Sequence, residues 1–224
     1  MNNGNIIEIR QLRKTYLVGK VPVPALRGVD LAVQRGEFLS IVGPSGSGKS
    51  TLFHIIGGLT PPTSGQVRVG DEDLAAMTDA GRTRMRRRTV GFVFQKFNLL
   101  PNLTARDNIE VARYISGMDR KPDAHFDEIL RLLGIAQRLD HKPNALSGGE
   151  QQRIAIARAV VNHPAILLAD EPTGNLDTEN SKAVLEILRD LNQRTGQTIL
   201  MITHNPEAAA YGHRTISMRD GRVV

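Results

Sequence analysis

Short apolar runs separated by longer mixed segments predict a sheet of buried strands. The runs Phe38–Val42, Ala165–Ala169 and Thr198–Thr203 are almost continuously apolar, which is typical of strands covered on both faces. The residues Lys49–Ile56 follow a glycine-rich turn and are predicted to form a helix. Because strands that alternate with helices form parallel sheets, we predict an α/β core.

The N-terminal third has a different pattern. Ile6–Ile9, Leu31–Val33 and Val67–Val69 are short candidate strands separated by Gly and Pro turns, and they predict an antiparallel sheet beside the parallel one. At the other end of the chain, Asp220-Gly221 lies between two short runs within Ile216–Val223. This dipeptide predicts a hairpin turn.

The middle of the chain, Leu103–Val161, is mostly helical in pattern. Thr104 and Asp107 have the spacing of a capping box at a helix start, and a later stretch carries an apolar stripe made of Phe126, Ile129, Leu130, Leu132 and Leu133. We therefore predict a single domain, 1–224, with a core lobe formed by 1–94 and 163–224 and an inserted helical lobe, 95–162.

Composition is that of an ordinary globular protein. The 224 residues are 40% hydrophobic and include no cysteine, so a disulfide framework and a thiolate metal site are excluded. No run approaches the roughly 18 consecutive apolar residues of a membrane span, and the first residues do not resemble a signal peptide. The expected location is the cytoplasm, where a membrane could be served only through a partner.

Basic residues are in excess, with a formal net charge of +6 and five arginines between positions 82 and 88. Such an excess attracts phosphate groups. The run Arg82, Arg84, Arg86, Arg87 and Arg88 predicts either a solvated helix face or a face turned toward lipid headgroups. Nucleic-acid binding ranks third, because aromatic residues for base stacking are scarce nearby.

A phosphate-binding loop follows the first buried strand. The pattern G-x-x-x-x-G-K-[ST] is matched by Gly43, Pro44, Ser45, Gly46, Ser47, Gly48, Lys49 and Ser50, with Thr51 next. Glycines let successive N–H groups point at phosphate oxygens, and the following helix adds its dipole. Lys49 is predicted to bridge the β- and γ-phosphates, and Ser50 to ligate Mg²⁺. The alternative, a glycine-rich turn with an incidental lysine, does not explain the strand–loop–helix context.

Two carboxylates, Asp170 and Glu171, come at the end of the second buried strand. Burying adjacent acids is costly unless a cation compensates, and Mg²⁺ bound to a nucleotide is such a cation. Asp170 is then predicted to orient the metal, and Glu171 to polarise the attacking water as general base. The alternative is that both acids are exposed and begin the helix that follows.

A second candidate anion site begins the helix after residue 146. Ser147 and Glu150 form a predicted capping box, and Gly148 and Gly149 leave the first-turn amides uncovered. A capping box by itself indicates only that a helix begins here.

The sequence Leu-Ser-Gly-Gly-Glu-Gln at positions 146–151 resembles the signature of ATP-binding-cassette ATPases, and the whole chain is similar to that family. By this resemblance Tyr16 would stack on adenine, Gln95 would link the γ-phosphate and Mg²⁺ to the helical lobe, and Asp177 would belong to the D-loop. His204 would be the switch histidine that positions Glu171. The other histidines match nothing in the family and are predicted to be structural or solvent-facing: His54, His125, His141, His163 and His213.

The resemblance implies an enzyme that converts ATP and water to ADP and phosphate, with Lys49, Gln95, Glu171 and His204 as catalytic residues. Mg²⁺ would be held by Ser50, Gln95 and Asp170. Two cassettes would meet head to tail, so that each ATP lies between the loop of one subunit and Ser147–Glu150 of the other. A homodimer, or pairing with a similar subunit, is therefore expected.

The expected partner is an integral-membrane permease, with the chain bound peripherally to the inner face of the cell membrane. The segment Gln95–Asn108 and the motif Glu171–Asp177 are similar to the branch that drives macrolide exporters and lipoprotein-release complexes. One rival is a soluble cassette protein acting on ribosomes or DNA, but such relatives carry two cassettes or long coiled-coil insertions. The other rival, a module that binds ATP without turnover, is disfavoured by Glu171. No nucleic-acid partner is expected.

Overall fold

The computed structural model describes residues 4–117 and 123–224. Its strands are, in chain order, β1 (Asn5–Val18), β2 (Val21–Gln34), β3 (Phe38–Val42), β4 (Ser64–Val69), β5 (Glu72–Asp73), β6 (Val90–Phe94), β7 (Ile166–Asp170), β8 (Thr198–Ile202), β9 (Arg214–Arg219) and β10 (Arg222–Val223). Its helices are α1 (Lys49–Ile56), α2 (Asp79–Thr89), α3 (Ala105–Ser116), α4 (Ala124–Leu133), α5 (Gly148–Val160), α6 (Thr178–Thr195) and α7 (Pro206–Ala209), with 3-10 turns at Ala136–Arg138 and Pro143–Ala145.

A six-stranded sheet in the order β10-β9-β3-β8-β7-β6 forms the centre of the molecule. The strands from β9 to β6 are parallel, and β10 is antiparallel to β9. Along β3, Phe38 packs into a cluster with α3–α6, whereas Leu39 and Ile41 pack into a second cluster with α1. Both faces of the sheet are therefore buried, which confirms the predicted α/β core.

The predicted antiparallel sheet is also confirmed, in the order β2-β1-β4-β5. Its strands are longer than the sequence predicted, since β1 and β2 each have 14 residues. Register shifts interrupt their pairing between Ile9 and Leu12 and again near Lys14. These irregularities break the alternation of apolar and polar residues, so only Ile6–Ile9 and Leu31–Val33 were recognised as strands.

Strand β6 was not predicted, and the bounds of two other strands were slightly wrong. Val90–Phe94 directly follows the arginine run, which obscured its short apolar pattern. Strand β7 is displaced by one residue from Ala165–Ala169, and β8 ends at Ile202 rather than Thr203. The hairpin turn at Asp220-Gly221 joins β9 to β10, as predicted.

The helical segment between β6 and β7 bears out the capping predictions. Both boxes are formed, at Thr104 with Asp107 on α3 and at Ser147 with Glu150 on α5. The stripe of α4 is buried at four positions, and only Leu132 is partly exposed. Among residues 4–117 and 123–224, no helix has both the length and the apolar character needed to cross a membrane.

The arginine run on α2 is not one solvated face, so that prediction needs correction. Arg82 is buried, pairs with Asp79 and donates to the Met77 carbonyl, and Arg86 donates to the Gly58 carbonyl. These two guanidinium groups point toward the protein because they donate hydrogen bonds to carbonyl groups just before α2 and just after α1. The remaining three arginines, at 84, 87 and 88, are exposed.

Candidate functional site

The candidate site lies where the parallel strands end. The loop after β3, Gln95 after β6, Asp170 at the end of β7 and His204 after β8 share one edge of the sheet, because neighbouring parallel strands point the same way. They surround a cavity of about 580 Å³. Its lining consists of Ala25, Gly43, Ser45, Gly46, Ser47, Gly48, Lys49, Ser50, Thr51, Gln95, Asp170, Glu171, Ile202 and His204.

The loop between β3 and α1 can exist only with glycine at particular positions. Gly43 has φ 150° and Gly48 has φ 102°. A Cβ atom would lie 2.2 Å from the Met218 carbonyl oxygen at Gly43 and 2.7 Å from the Ala25 carbonyl oxygen at Gly48. The loop therefore curls tightly and lines the cavity at the start of α1, the place where phosphate groups bind in loops of this kind.

Lys49 is held by that loop through carbonyl groups. Its Nζ atom donates to the carbonyl oxygens of Gly43, at 2.7 Å, and Pro44, at 2.9 Å. These are neutral acceptors, so the ammonium charge is not paired with a carboxylate there. An anion in the cavity would be a stronger partner for this charge than the two carbonyl groups.

Asp170 is partly buried beside a second acid. Burial raises the pKa of its carboxyl group, the neighbouring charge of Glu171 raises it further, and the positive charges of His54 and Lys49 oppose the shift. A site that disfavours carboxylate ionisation in this way is one that a divalent cation would stabilise. The oxygen donors of Ser50, Gln95 and Asp170 are of the type that Mg²⁺ prefers.

Glu171 and His204 are in direct contact. Oε1 of Glu171 lies 3.0 Å from Nδ1 of His204, and the His204 amide donates to Oε2 at 3.4 Å. Glu171 has φ 48°, a left-handed conformation that is uncommon for this residue type. Its amide donates to the Ile202 carbonyl at 3.0 Å. The carboxylate is thus oriented both by its backbone and by the histidine, an arrangement suited to accepting a proton.

Gln95 is positioned by a residue that the sequence analysis did not select. Its Nε2 atom donates to Oδ1 of Asn175 at 3.3 Å, and Nδ2 of Asn175 donates to the Gln95 carbonyl at 2.9 Å. A Cβ atom on Gly174 would lie 2.7 Å from Gln95 Nε2. Asn175 lies within the motif Glu171–Asp177, but its role there could not be predicted. Ala25 also lines the cavity, and no sequence pattern indicates this.

The signature residues lie outside this cavity, although all four are described. Ser147 caps α5 and accepts from the Glu150 amide, while Glu150 accepts from the Ser147 amide and pairs with Arg138 at 2.6 Å. The hydrogen bond from Ser147 and the one from Arg138 lower the pKa of Glu150. A Cβ atom on Gly149 would collide with Asn180 at the start of α6, so the helix start is packed closely there.

Three other predicted residues also lie outside the lining. Asp177 caps α6, and hydrogen bonds from Asn180 lower its pKa. Tyr16 lies near the end of the β1–β2 hairpin, 37% exposed, with Lys14 Nζ 4.9 Å from its ring centre. Pro44 belongs to the loop but is not among the residues that line the cavity. The structure therefore brings together the loop, the acids, Gln95 and His204, and leaves the signature and Tyr16 apart.

Comparison with known proteins gives consistent results. Residues 26–174 match the family model described as ABC transporter. A lipoprotein-releasing system ATP-binding protein, LolD, of Geobacter metallireducens is 48% identical over 222 residues, covering 99% of both chains. A macrolide export ATP-binding/permease protein, MacB, of Chlorobium luteolum is also 48% identical, but this chain spans only 33% of its length.

A solved structure is similar along almost the whole chain. It is a dimeric ATP-binding cassette in a post-hydrolysis state, bound to ADP and Pi, with a TM-score of 0.86 and 41% identity. The similarity covers 97% of this chain and 96% of that one.

Proposed function

This chain belongs to the ABC transporter family, and we propose that its cavity binds and hydrolyses ATP with Mg²⁺ to drive a separate membrane permease. The observation that carries the proposal is the convergence of Lys49, Asp170, Glu171 and His204 on one cavity beside a glycine loop. A loop that presents amides, an ammonium group and a carboxylate–histidine pair supplies what phosphoryl transfer to water requires.

In the proposed reaction, the loop amides and Lys49 hold the phosphates, and Glu171 accepts a proton from the water that attacks the γ-phosphorus. The bond between the γ-phosphorus and the bridging oxygen breaks, and ADP leaves with the electron pair. His204 holds the Glu171 carboxylate in place through the 3.0 Å contact. Mg²⁺, held by Ser50, Gln95 and Asp170, would neutralise charge on the phosphate oxygens. Because Gln95 is itself held by Asn175, its amide is presented at a fixed position.

We further propose that two copies form the working unit. The signature, Ser147–Glu150, begins α5 away from its own chain's cavity, with Ser147 exposed and Gly148 partly exposed. A second copy arranged head to tail would place this helix start, and Asp177 beside it, against the ATP bound to the first copy. Tyr16 would cover the adenine from the hairpin.

The permease is proposed to dock in a groove beside α2 and α3. This groove, of about 580 Å³, is lined by Leu59, Phe92, Phe94, Ile115 and Arg158, among others. Phe92 and Phe94 stack with ring centres 5.5 Å apart, and Leu59 and Ile115 are 46% and 53% exposed. Arg86 and Arg87 also line the groove. An apolar floor with basic residues beside it fits a short amphipathic, acidic segment of a membrane protein.

ATP turnover and assembly test the enzymatic part. Glu171→Gln should lose at least 100-fold in kcat while still binding ATP, and Lys49→Ala should lose binding. Light scattering of Glu171→Gln with ATP and Mg²⁺ should show a dimer that dissociates when nucleotide is removed. Hydrolysis that persists undiminished in either variant would contradict the proposed roles.

Co-purification tests the partner. Tagged Glu171→Gln protein, isolated from detergent-solubilised membranes with ATP and Mg²⁺, should retain one multi-span membrane protein. Lys49→Ala, or omission of nucleotide, should lose it. Recovery of ribosomal proteins or nucleic acid instead would favour the soluble alternative.

A further inference from the structure

One buried glutamine joins the signature helix to the backbone beside two of the predicted catalytic residues, Glu171 and Gln95. Gln152 lies on α5 and is fully buried. Its Nε2 atom donates to the Pro172 carbonyl at 2.6 Å, and the Phe94 carbonyl lies 3.4 Å away. Pro172 directly follows Glu171, and Phe94 directly precedes Gln95.

The backbone that this glutamine contacts is strained. Glu171 has φ 48°, and a non-glycine residue keeps such a conformation only where its surroundings impose it. The Glu171 amide is fixed on one side by the Ile202 carbonyl. On the other side, the Glu171 carbonyl accepts from the Gly174 amide at 3.0 Å, and the short bond from Gln152 fixes the carbonyl group of the following residue, Pro172. Both ends of the strained unit are therefore tied, one to the sheet and the other to α5.

Gln152 is a costly choice for a residue that serves packing alone. Its Oε1 atom is buried and has no hydrogen-bond partner among the described residues. Leucine would fill a similar volume without leaving a carbonyl oxygen unpaired. Leucine could not donate a hydrogen bond to the Pro172 carbonyl. This donor therefore explains why a glutamine occupies position 152.

We infer that Gln152 is a positioning residue, which holds Glu171 in its left-handed conformation and so keeps the carboxylate aimed at the γ-phosphate site. Without this bond, the chain at 171 relaxes toward negative φ and the carboxylate turns away from the cavity. ATP binding, which depends on the loop at 43–50, is unaffected. The inference rests on the proposed role of Glu171 as the base.

The test is steady-state ATP hydrolysis by Gln152→Leu, which removes the donor at similar volume. We expect kcat to fall at least tenfold, since a small misplacement of a catalytic group is enough for such a loss, while KM for ATP stays within twofold. Thermal unfolding without nucleotide should show only the modest loss expected when buried carbonyl groups lose their donor, comparable to that of the control below. Gln152→Met provides a second, more flexible side chain without a donor, in case leucine perturbs packing.

The matched control is Asn192→Leu. Asn192 is also a buried amide that bridges two carbonyl groups, those of Gly36 and Gln197, both at 2.8 Å. It lies at the other edge of the sheet, near the starts of β3 and β8. We expect its loss to affect stability and to leave kcat within twofold.

If Gln152 acts through Glu171, the effects of substituting the two residues on the rate of hydrolysis should not be additive. In single-turnover hydrolysis, Gln152→Leu should lower the rate further by less than twofold when Glu171 is already Gln. A kcat within twofold of wild type in both Gln152 variants, or an equal fall in Asn192→Leu, would overturn the inference. Full activity of Glu171→Gln would contradict the proposed function, whereas normal activity of the Gln152 variants with an inactive Glu171→Gln would contradict only this inference.

Discussion

Replacing Asp170 with asparagine should stabilise the protein without nucleotide and abolish the stabilisation that Mg²⁺ and nucleotide provide. Asp170 is partly buried, its neighbour Glu171 repels its charge, and His54 and Lys49 act in the opposite direction without cancelling the rise in its pKa. Lys49 is engaged by the carbonyl groups of Gly43 and Pro44. The amide of asparagine has nearly the same shape and no charge, so the substitution removes the repulsion and keeps the packing.

The expected magnitude is modest but measurable. Repulsion between carboxylates on adjacent residues is about 2–3 kcal/mol at most for an effective dielectric constant of about 20. Because solvent screens the partly exposed group, we expect a net gain of about 1 kcal/mol, or about 2–4 °C in Tm for a chain of this size. A ligand at 100 times its Kd stabilises the wild type by about 2.7 kcal/mol, or about 5–11 °C. The Asp170→Asn protein should lose most of this ligand-induced stabilisation. Its Tm should therefore be higher than that of the wild type without ligand and lower with ligand.

The sign of the pH dependence follows from the raised pKa of Asp170. The folded state disfavours the ionised carboxyl group, so the penalty is complete above the raised pKa and absent below the ordinary value of 3.8. The advantage of Asp170→Asn should therefore be largest at neutral pH and shrink as the pH falls toward 4.

Scanning fluorimetry of both proteins, with and without Mg²⁺ and a non-hydrolysable ATP analogue, provides the measurement. Asp190→Asn is the control, because Asp190 forms only a surface pair with Arg194 at 3.5 Å and should change Tm by less than about 2 °C. A lower Tm for Asp170→Asn than for wild type without ligand, or equal stabilisation of both by Mg²⁺ and analogue, would refute the reasoning.

Three further predictions concern other parts of the chain. Asp123→Ala removes the cap of α4 and the 2.7 Å pair with Arg113, and should lower the free energy of unfolding by about 1–2 kcal/mol in urea. Because the hydrogen bond from Arg113 lowers the pKa of Asp123 to about 2, this difference should persist above 3.8 and be lost as the pH falls through 2. Gly48→Ala would place a Cβ atom against the Ala25 carbonyl oxygen and so distort the loop. Calorimetry should show ATP binding weakened at least tenfold, and an unchanged affinity would refute this reasoning. Tyr16→Ala should raise KM for ATP about tenfold with kcat unchanged, whereas Tyr16→Phe should keep the wild-type KM.

Elements fixed by local sequence were predicted accurately. Strand β3 and helix α1 have the predicted bounds, because the apolar run, the glycine loop and the start of α1 follow one another without interruption. Strand β6 was missed because the arginine run directly precedes its five residues and obscures their short apolar pattern. The length of β1 and β2 was missed because their mutual pairing tolerates polar residues on the exposed side of the hairpin.

The site shows the same division between local and long-range information. Asp170 and Glu171 could be placed from the sequence because they end a buried strand. The partner of Gln95 could not be predicted from the sequence, because Asn175 is 80 residues away and the two amides meet only in the folded chain. Gln152 occupies an interior helix position, and its contact with Pro172 spans 20 residues. No periodicity in the sequence reports such a contact.

The contacts of α5 suggest how the groove and the site act on each other. Arg158 on this helix donates to the carbonyl groups of Phe97, at 3.0 Å, and Asn98, at 2.7 Å, in the segment just after Gln95. Gln152 lies about 9 Å along the same helix and is bonded to the residue after Glu171. Since a helix moves as a unit, a permease that displaces the segment at 97–98 would also displace the Pro172 carbonyl. Displacing that carbonyl group would disturb the alignment of Glu171 that Gln152 maintains, so occupation of the groove would change kcat more than KM for ATP.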